Sequence, residues 1–217
     1  MIVWKQFRVP LLALTFTSVV LALGNILLLP ANDKSTVTPF VFPEQVPLSQ
    51  WRLSISPPLP KPTKEHSELL AQKHYRYIKN DWFLDIEMRY LTTGNVVKLL
   101  QNYTSVTSSA EVRQQKGVGY YGIGVDQQRA YLSACINSQG GSTFTQEQFN
   151  QNQYFSDLQP QRLVSWLLGQ EGFKDKRCLW AHLSIPLKNS SPEAAYQVLE
   201  NAWFSWYKWW QPRFPKS

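Results

Sequence analysis

The sequence predicts an α+β domain behind one apolar N-terminal helix: a twisted antiparallel sheet packed with helices on one face, a long C-terminal helix among them. Three observations lead there. Residues 9–30 read VPLLALTFTSVVLALGNILLLP, without a charge. Several stretches between residues 73 and 187 alternate apolar and polar side chains with the period of two that half-buried strands show. Between residues 191 and 210 the apolar residues recur instead with helical spacing.

The first stretch is long enough to cross a bilayer, since about 20 helical residues span a hydrocarbon core of roughly 30 Å. Lys5 and Arg8 precede it, whereas Asp33 and Lys34 after it cancel. The excess of basic residues at the front predicts a single-pass anchor with a cytoplasmic N-terminus and a periplasmic or lumenal main domain. A cleaved signal peptide is the rival. Its small-residue cleavage site would have to be Ala22-Leu23-Gly24, which lies inside the apolar run rather than after it. The expected organisation is a basic tail (1–8), a transmembrane anchor (9–30), a Pro-rich stalk (31–64) and an extracytoplasmic α+β domain (65–217).

The stalk carries prolines at 39, 43, 47, 57, 58, 60 and 62, which oppose a regular central strand. Its interleaved apolar residues, Trp51 above all, suggest that its first part lies along the domain or the membrane surface. Residues 57–64 read as an exposed loop. Beyond it, 73–78 and 82–90 flank Asn80-Asp81 and predict a β-hairpin. In its second strand Trp82, Leu84, Ile86 and Met88 share one face, and Phe83, Asp85, Glu87 and Arg89 the other. Asn95 is placed to cap a short helix carrying Val96, Val97, Leu99 and Leu100.

A second hairpin is expected over 117–125 and 129–136. Its glycines at 117, 119, 122 and 124 weaken the first strand or admit another chain close by. Thr145 and Gln148 form a capping-box pattern for a further helix, and 162–168 is another short helical candidate. Residues 176–187 alternate as a strand, with Pro186 and Lys188 placing its last part at a sheet edge. The final helix has Ser191 as its cap and Pro192 at its first position. Its stripe is Ala195, Val198, Leu199, Ala202, Trp203, Trp206 and Trp210, and Pro212 stops it.

Composition narrows function only by class. Removing Lys5 and Arg8 from the formal charge of +7 leaves +5 on the exported part, without a basic cluster. That pattern, with export, argues against a nucleic-acid partner. Cys135 and Cys178 fall opposite the aliphatic faces of their strands. If the strands are neighbours, the sulfurs share a face, and the choice lies between one disulfide and two buried thiols. A Cys–His nucleophile fares poorly: Cys178 and His182 are about 13 Å apart along a strand, and Cys135 with His182 needs one particular register. Asp85 and Glu87, about 7 Å apart on one face, suit an inverting glycosidase but also a plain solvated surface. His66, His74 and His182 are too scattered to suggest metal ligation, the glycines lead into no helix that would cradle phosphate, and no cofactor or catalytic set is expected. Trp203, Trp206, Trp209 and Trp210 are candidates for contact with a partner or the membrane, with core packing as the competing role.

Several segments taken together carry a resemblance: FVFPEQVPLSQW, IEMRYLTTGNV, AYLSACINSQGGSTFTQEQF, DKRCLWAHLSIPL and WYKWWQPRFP, behind a single span. In their order they resemble the cyanoexosortase A system-associated proteins of cyanobacteria. More distantly, a span followed by the Pro43–Trp51 segment resembles the exosortase-associated proteins of exopolysaccharide clusters. The resemblance implies a membrane accessory role in protein sorting by an exosortase, which acts on exported proteins bearing a C-terminal sorting helix. The implied partners are the multispanning exosortase or a polysaccharide export component. It implies no catalytic residues. The alternative is a periplasmic hydrolytic enzyme dependent on a thiol, Cys135, or on the Asp85 and Glu87 carboxylates.

Overall fold

The structure, a computed structural model, describes residues 3–28, 40–56, 58–59, 68–104, 106, 110–157, 176–187 and 191–215. It divides into two units, 1–38 (with Ser217) and 39–216. The first is built on helix α1 (Val3–Leu28), which accommodates Pro10 near its start. Its Thr15, Thr17 and Ser18 hydroxyls donate to carbonyls one turn back, so these three polar groups are satisfied within the helix.

Among the described residues no helix is long and apolar enough to cross a membrane. The expected span is therefore not established by the fold.

The second unit is α+β, built on an eight-stranded sheet. Its strands are β1 (Arg52–Ser54), β2 (Leu69–Lys79), β3 (Trp82–Leu91), β4 (Glu111–Gln115), β5 (Gly119–Asp126), β6 (Arg129–Asn137), β7 (Ser142–Thr143) and β8 (Cys178–Pro186). Their spatial order is β1-β2-β3-β8-β6-β7-β5-β4, with β5 also paired to β6. All pairings are antiparallel except the short β5–β7 bridge, Gly119 to Ser142, so the sheet is mixed rather than purely antiparallel.

That bridge explains one of the glycines, Gly119. β5 and β6 pair from the Gln127-Gln128 turn as far as Gly122 and Ser133, then separate so that β7 fits between them. A Cβ on Gly119 would lie 2.3 Å from the Ser142 carbonyl oxygen, and its φ of +115° favours glycine in any case.

Both sheet faces are covered, where the sequence suggested helices on one. Helix α4 (Pro192–Trp210) lies on the first face, against Tyr75, Ile86, Leu132 and Leu183. Ser191 caps it without a side-chain bond, and a 3₁₀ turn over Gln211–Arg213 ends it. Helix α2 (Val96–Tyr103) and helix α3 (Gln146–Asp157) contribute Leu99 and Phe149 to a second core, with Phe144 and Trp180, on the opposite face. Asn95 caps α2 through Lys98 N, and Thr145 and Gln148 bond reciprocally at the start of α3. The helical candidate at 162–168 lies outside the described residues, as does nearly all of the loop at 57–64.

One further expectation needs correction. The domain begins well before residue 65: Phe42, Val46 and Leu48 are buried in the first core, and Tyr75 and Tyr77 donate to the carbonyls of Pro43 and Val46. Prolines keep this strap extended, so Phe42, Val46 and Leu48 reach down into the core while Val41 points away. Strand β8 is central over most of its length, and its last part is paired on one side only, as the sequence suggests. Pro186 is tolerated because the ladder with β3 stops at Asp85–Ser184, leaving the last residues paired to β6 alone.

Candidate functional site

The second face of the sheet divides along its length into an apolar half and a polar half. Register fixes the division. Asp85 stands beside Arg76 of β2 and Ser184 of β8; one row on, Glu87 stands between His74 and His182; a further row on, Arg89 stands between Gln72 and Trp180. On the far side of β8, Ser133 lies beside His182 and Cys135 beside Trp180. Alternation puts all these side chains on one face.

Asp85 is the hub of the polar half. Its carboxylate accepts from His74 Nε2 at 3.2 Å, Arg76 Nε at 2.7 Å and Arg129 at 2.9 Å. Arg129 also donates to the Ser184 hydroxyl at 2.9 Å. Burial alone would raise the Asp85 pKa, but the bonds from His74 and Arg76 and the charges of Arg76 and Arg129 outweigh it and hold it at about 2. A carboxyl so held stays ionised and cannot donate a proton near neutral pH.

Glu87 accepts from Arg89 at 2.8 Å. The Arg89 guanidinium is nearly fully buried and lies between the rings of Tyr103 and Trp180, at 4.8 and 5.0 Å, an arrangement that suits a desolvated cation. His182 packs beside Tyr131 and Trp180. Burial, opposed by Glu87 and reinforced by Arg89 and Arg129, lowers its pKa to about 4, and its Nδ1 has no hydrogen-bond partner. His182 is therefore neutral across the physiological range.

In the apolar half, Cys135 and Cys178 are joined as a disulfide with a Cα separation of 5.6 Å. They sit diagonally, since Cys135 pairs with Trp180 and Cys178 with Asn137. Neither sulfur is a thiolate nucleophile in this state. Asp85 and Glu87 do share a face, but each is engaged by cations. His74 and His182 flank Glu87 on one row, while His66 lies outside the described residues. Among the described residues no group of histidine, cysteine and carboxylate side chains is arranged to hold a metal.

The tryptophans separate by exposure. Trp203, Trp206 and Trp210 are buried under the sheet, and only Trp209 of the four reaches the surface. The expected contact patch therefore shrinks to Trp209, because an unbroken apolar stripe buries whatever lies along it. Beside the site, a groove of about 490 Å³ opens next to β2, past the end of β1; Glu44, Ser56, Leu59, Gln72 and His74 border it.

Sequence reading did not find Arg76, Arg129 or Ser184 as companions of Asp85. They come from three strands, and only the order β2-β3-β8-β6 assembles them. The one local signal was polar residues at alternate positions of β3 and β8, which a solvated face would show equally. No family model matches the chain, and neither curated proteins nor solved structures gave a match.

Proposed function

We propose that this protein is a non-catalytic, membrane-tethered accessory subunit of an exosortase and exopolysaccharide export system, with the sheet domain on the exported side. The observation that carries the non-catalytic part is the engagement of the reactive groups. Asp85 is surrounded by three donors, and Cys135 and Cys178 are bonded to each other. Such a face stiffens a scaffold rather than turning over a substrate. A disulfide also fits an oxidising compartment beyond the membrane. The internally satisfied hydroxyls of α1 support the tether, because a polar atom facing lipid needs a partner within its own helix. The identity of the system rests on the resemblance of the segments quoted above.

The test is recovery of the tagged full-length protein from gently solubilised membranes, with mass spectrometry of what accompanies it. A multispanning exosortase or an export component should co-purify. An intact protein that recovers neither overturns the reading.

A further inference from the structure

We infer that a shallow polar groove between the β3–α2 turn and α3 binds an acidic saccharide, a chain of sugars bearing carboxylates. The inference does not depend on the accessory reading, because every residue in it belongs to the sheet domain.

The groove holds about 340 Å³. Its walls are Thr92 and Thr93 of the turn after β3, Gln146, Asn150 and Gln153 of α3, and Lys176 ahead of β8. Gly94 keeps the two sides together: a Cβ there would lie 2.1 Å from the Phe149 ring, so only glycine lets the turn rest on α3. Positions 146, 150 and 153 recur at helical spacing and share one face of α3.

Amide chemistry sets α3 apart. Six of its twelve residues are Asn or Gln and none is basic, although Asn is a poor helix former and a helix surface ordinarily carries charges. Two of the six serve the fold: Gln148 caps the helix, and Asn152 donates to the Gly140 carbonyl at 3.2 Å. Gln146 and Asn150 instead bond each other at 2.7 Å on the groove wall. That bond uses the Gln146 nitrogen and the Asn150 oxygen, leaving the Gln146 oxygen to accept and the Asn150 nitrogen to donate. A donor and an acceptor held side by side match neighbouring sugar hydroxyls, each of which can give and take a hydrogen bond.

The Thr92 and Thr93 hydroxyls carry the same uncharged set across to the other wall. A docked peptide would want apolar pockets, and the Phe149 side chain here is 3% exposed. Among the described lining residues Lys176 has the only charge, and it is exposed, so a carboxylate on the sugar complements it. The larger groove beside β2 lacks this character, since Glu44 and Lys73 there pair with each other and Leu53, Ile55 and Leu59 line it.

The experiment is calorimetric titration of the full chain, in phosphatidylcholine nanodiscs free of sugar-headed detergent, with an oligogalacturonate and with a neutral cello-oligosaccharide of equal length. The acidic oligomer should bind several-fold more tightly than the neutral one, and Lys176→Gln should abolish the difference. Gln146→Ala/Asn150→Ala should weaken the acidic oligomer about tenfold, the worth of one or two hydrogen bonds. Its thermal melt should be unchanged or slightly raised, because alanine favours an exposed helix, so lost binding would not be lost folding. Binding of neither oligomer overturns the inference. Equal affinity for the two oligomers, or binding that survives the double alanine variant, overturns it as well.

Discussion

Arg129 of β6 reaches across the whole width of β8 to bond the Asp85 carboxylate of β3 at 2.9 Å. The bond ties together strands that are neither sequence neighbours nor ladder partners. With His74 and Arg76 bonding the same carboxylate, Asp85 ties three strands together, β2, β3 and β6. Asp85→Ala would leave the Arg76 and Arg129 guanidinium groups facing each other without their shared carboxylate. The expected loss is about 3 kcal/mol, the low end for a buried ion pair, because the outer parts of Arg76 and Arg129 meet solvent. Urea unfolding of the variant beside the wild type measures it, and a loss under about 0.5 kcal/mol, the size of an ordinary surface change, would refute the anchoring role.

Acid stability should show two successive losses. The His182 pKa is depressed to about 4 in the fold from its usual 6.5. The unfolded chain then binds the proton first, and stability present above pH 6.5 is lost as pH falls toward 4. The loss is of order 3 kcal/mol. Asp85 has its pKa lowered from 3.8 to about 2, so its contribution disappears only between pH 4 and 2. Chemical denaturation across pH should resolve both limbs. His182→Leu should flatten the first and leave the second.

The disulfide makes a third prediction. Cys135 and Cys178 enclose 43 residues of separation, and closing a loop of that length is worth about 4 kcal/mol through the unfolded state. Cys135→Ala/Cys178→Ala should lose about that much, and a reductant should destabilise the wild type but not the variant. Equal melting of the wild type with and without reductant would show that the bond contributes nothing.

How far these arrangements were legible depends on range. The hairpin of β2 and β3, the Asn95 cap, the Thr145–Gln148 capping box and the stripe of α4 follow from residues close in sequence, and local chemistry sets them. The shared face of Cys135 and Cys178 was readable from alternation only on the condition that their strands are neighbours, which they are. The centrality of β8 was not, because a proline can end a central strand where one ladder has already stopped. The strap at 40–48 was read as the first part of a stalk lying along the domain or the membrane surface; its burial in the core was hidden because prolines signal extended chain without saying what it lies on. The polar face remained hidden for the same reason as the sheet order: its members meet only after β8 has inserted between β3 and β6.

The glycines of β5 give a sharper test. Gly119 combines a φ of +115° with the Ser142 backbone where a Cβ would sit. Gly119→Ala therefore forces β7 away from β5 and strains its own backbone, and should cost about 3 kcal/mol or more. Gly117 has a φ of +80° but open space around it, so Gly117→Ala should cost only about 1 kcal/mol of backbone strain. Thermal melts of the pair separate close approach from conformational preference. Equal losses would mean that the β7 contact adds nothing.

The tryptophans close the argument over what α4 is for. Trp206 is fully buried, donates its indole N–H to the Met88 sulfur at 3.3 Å, and packs edge-on against Tyr75 at 5.3 Å. Trp206→Ala should cost about 3–5 kcal/mol and leave the domain partly unfolded at physiological temperature. Trp209 is partly exposed, with Arg213 over its ring, so Trp209→Ala should cost about 1 kcal/mol or less. If a partner or the membrane read the whole aromatic run, both variants would lose binding in proportion. If only the surface ring is read, Trp209→Ala should weaken membrane or partner association at unchanged stability, while the conservative Trp206→Phe leaves association intact. Flotation with liposomes, set beside a urea melt for each variant, distinguishes the two; an association loss in Trp206→Phe without a stability loss would return the buried rings to the interface.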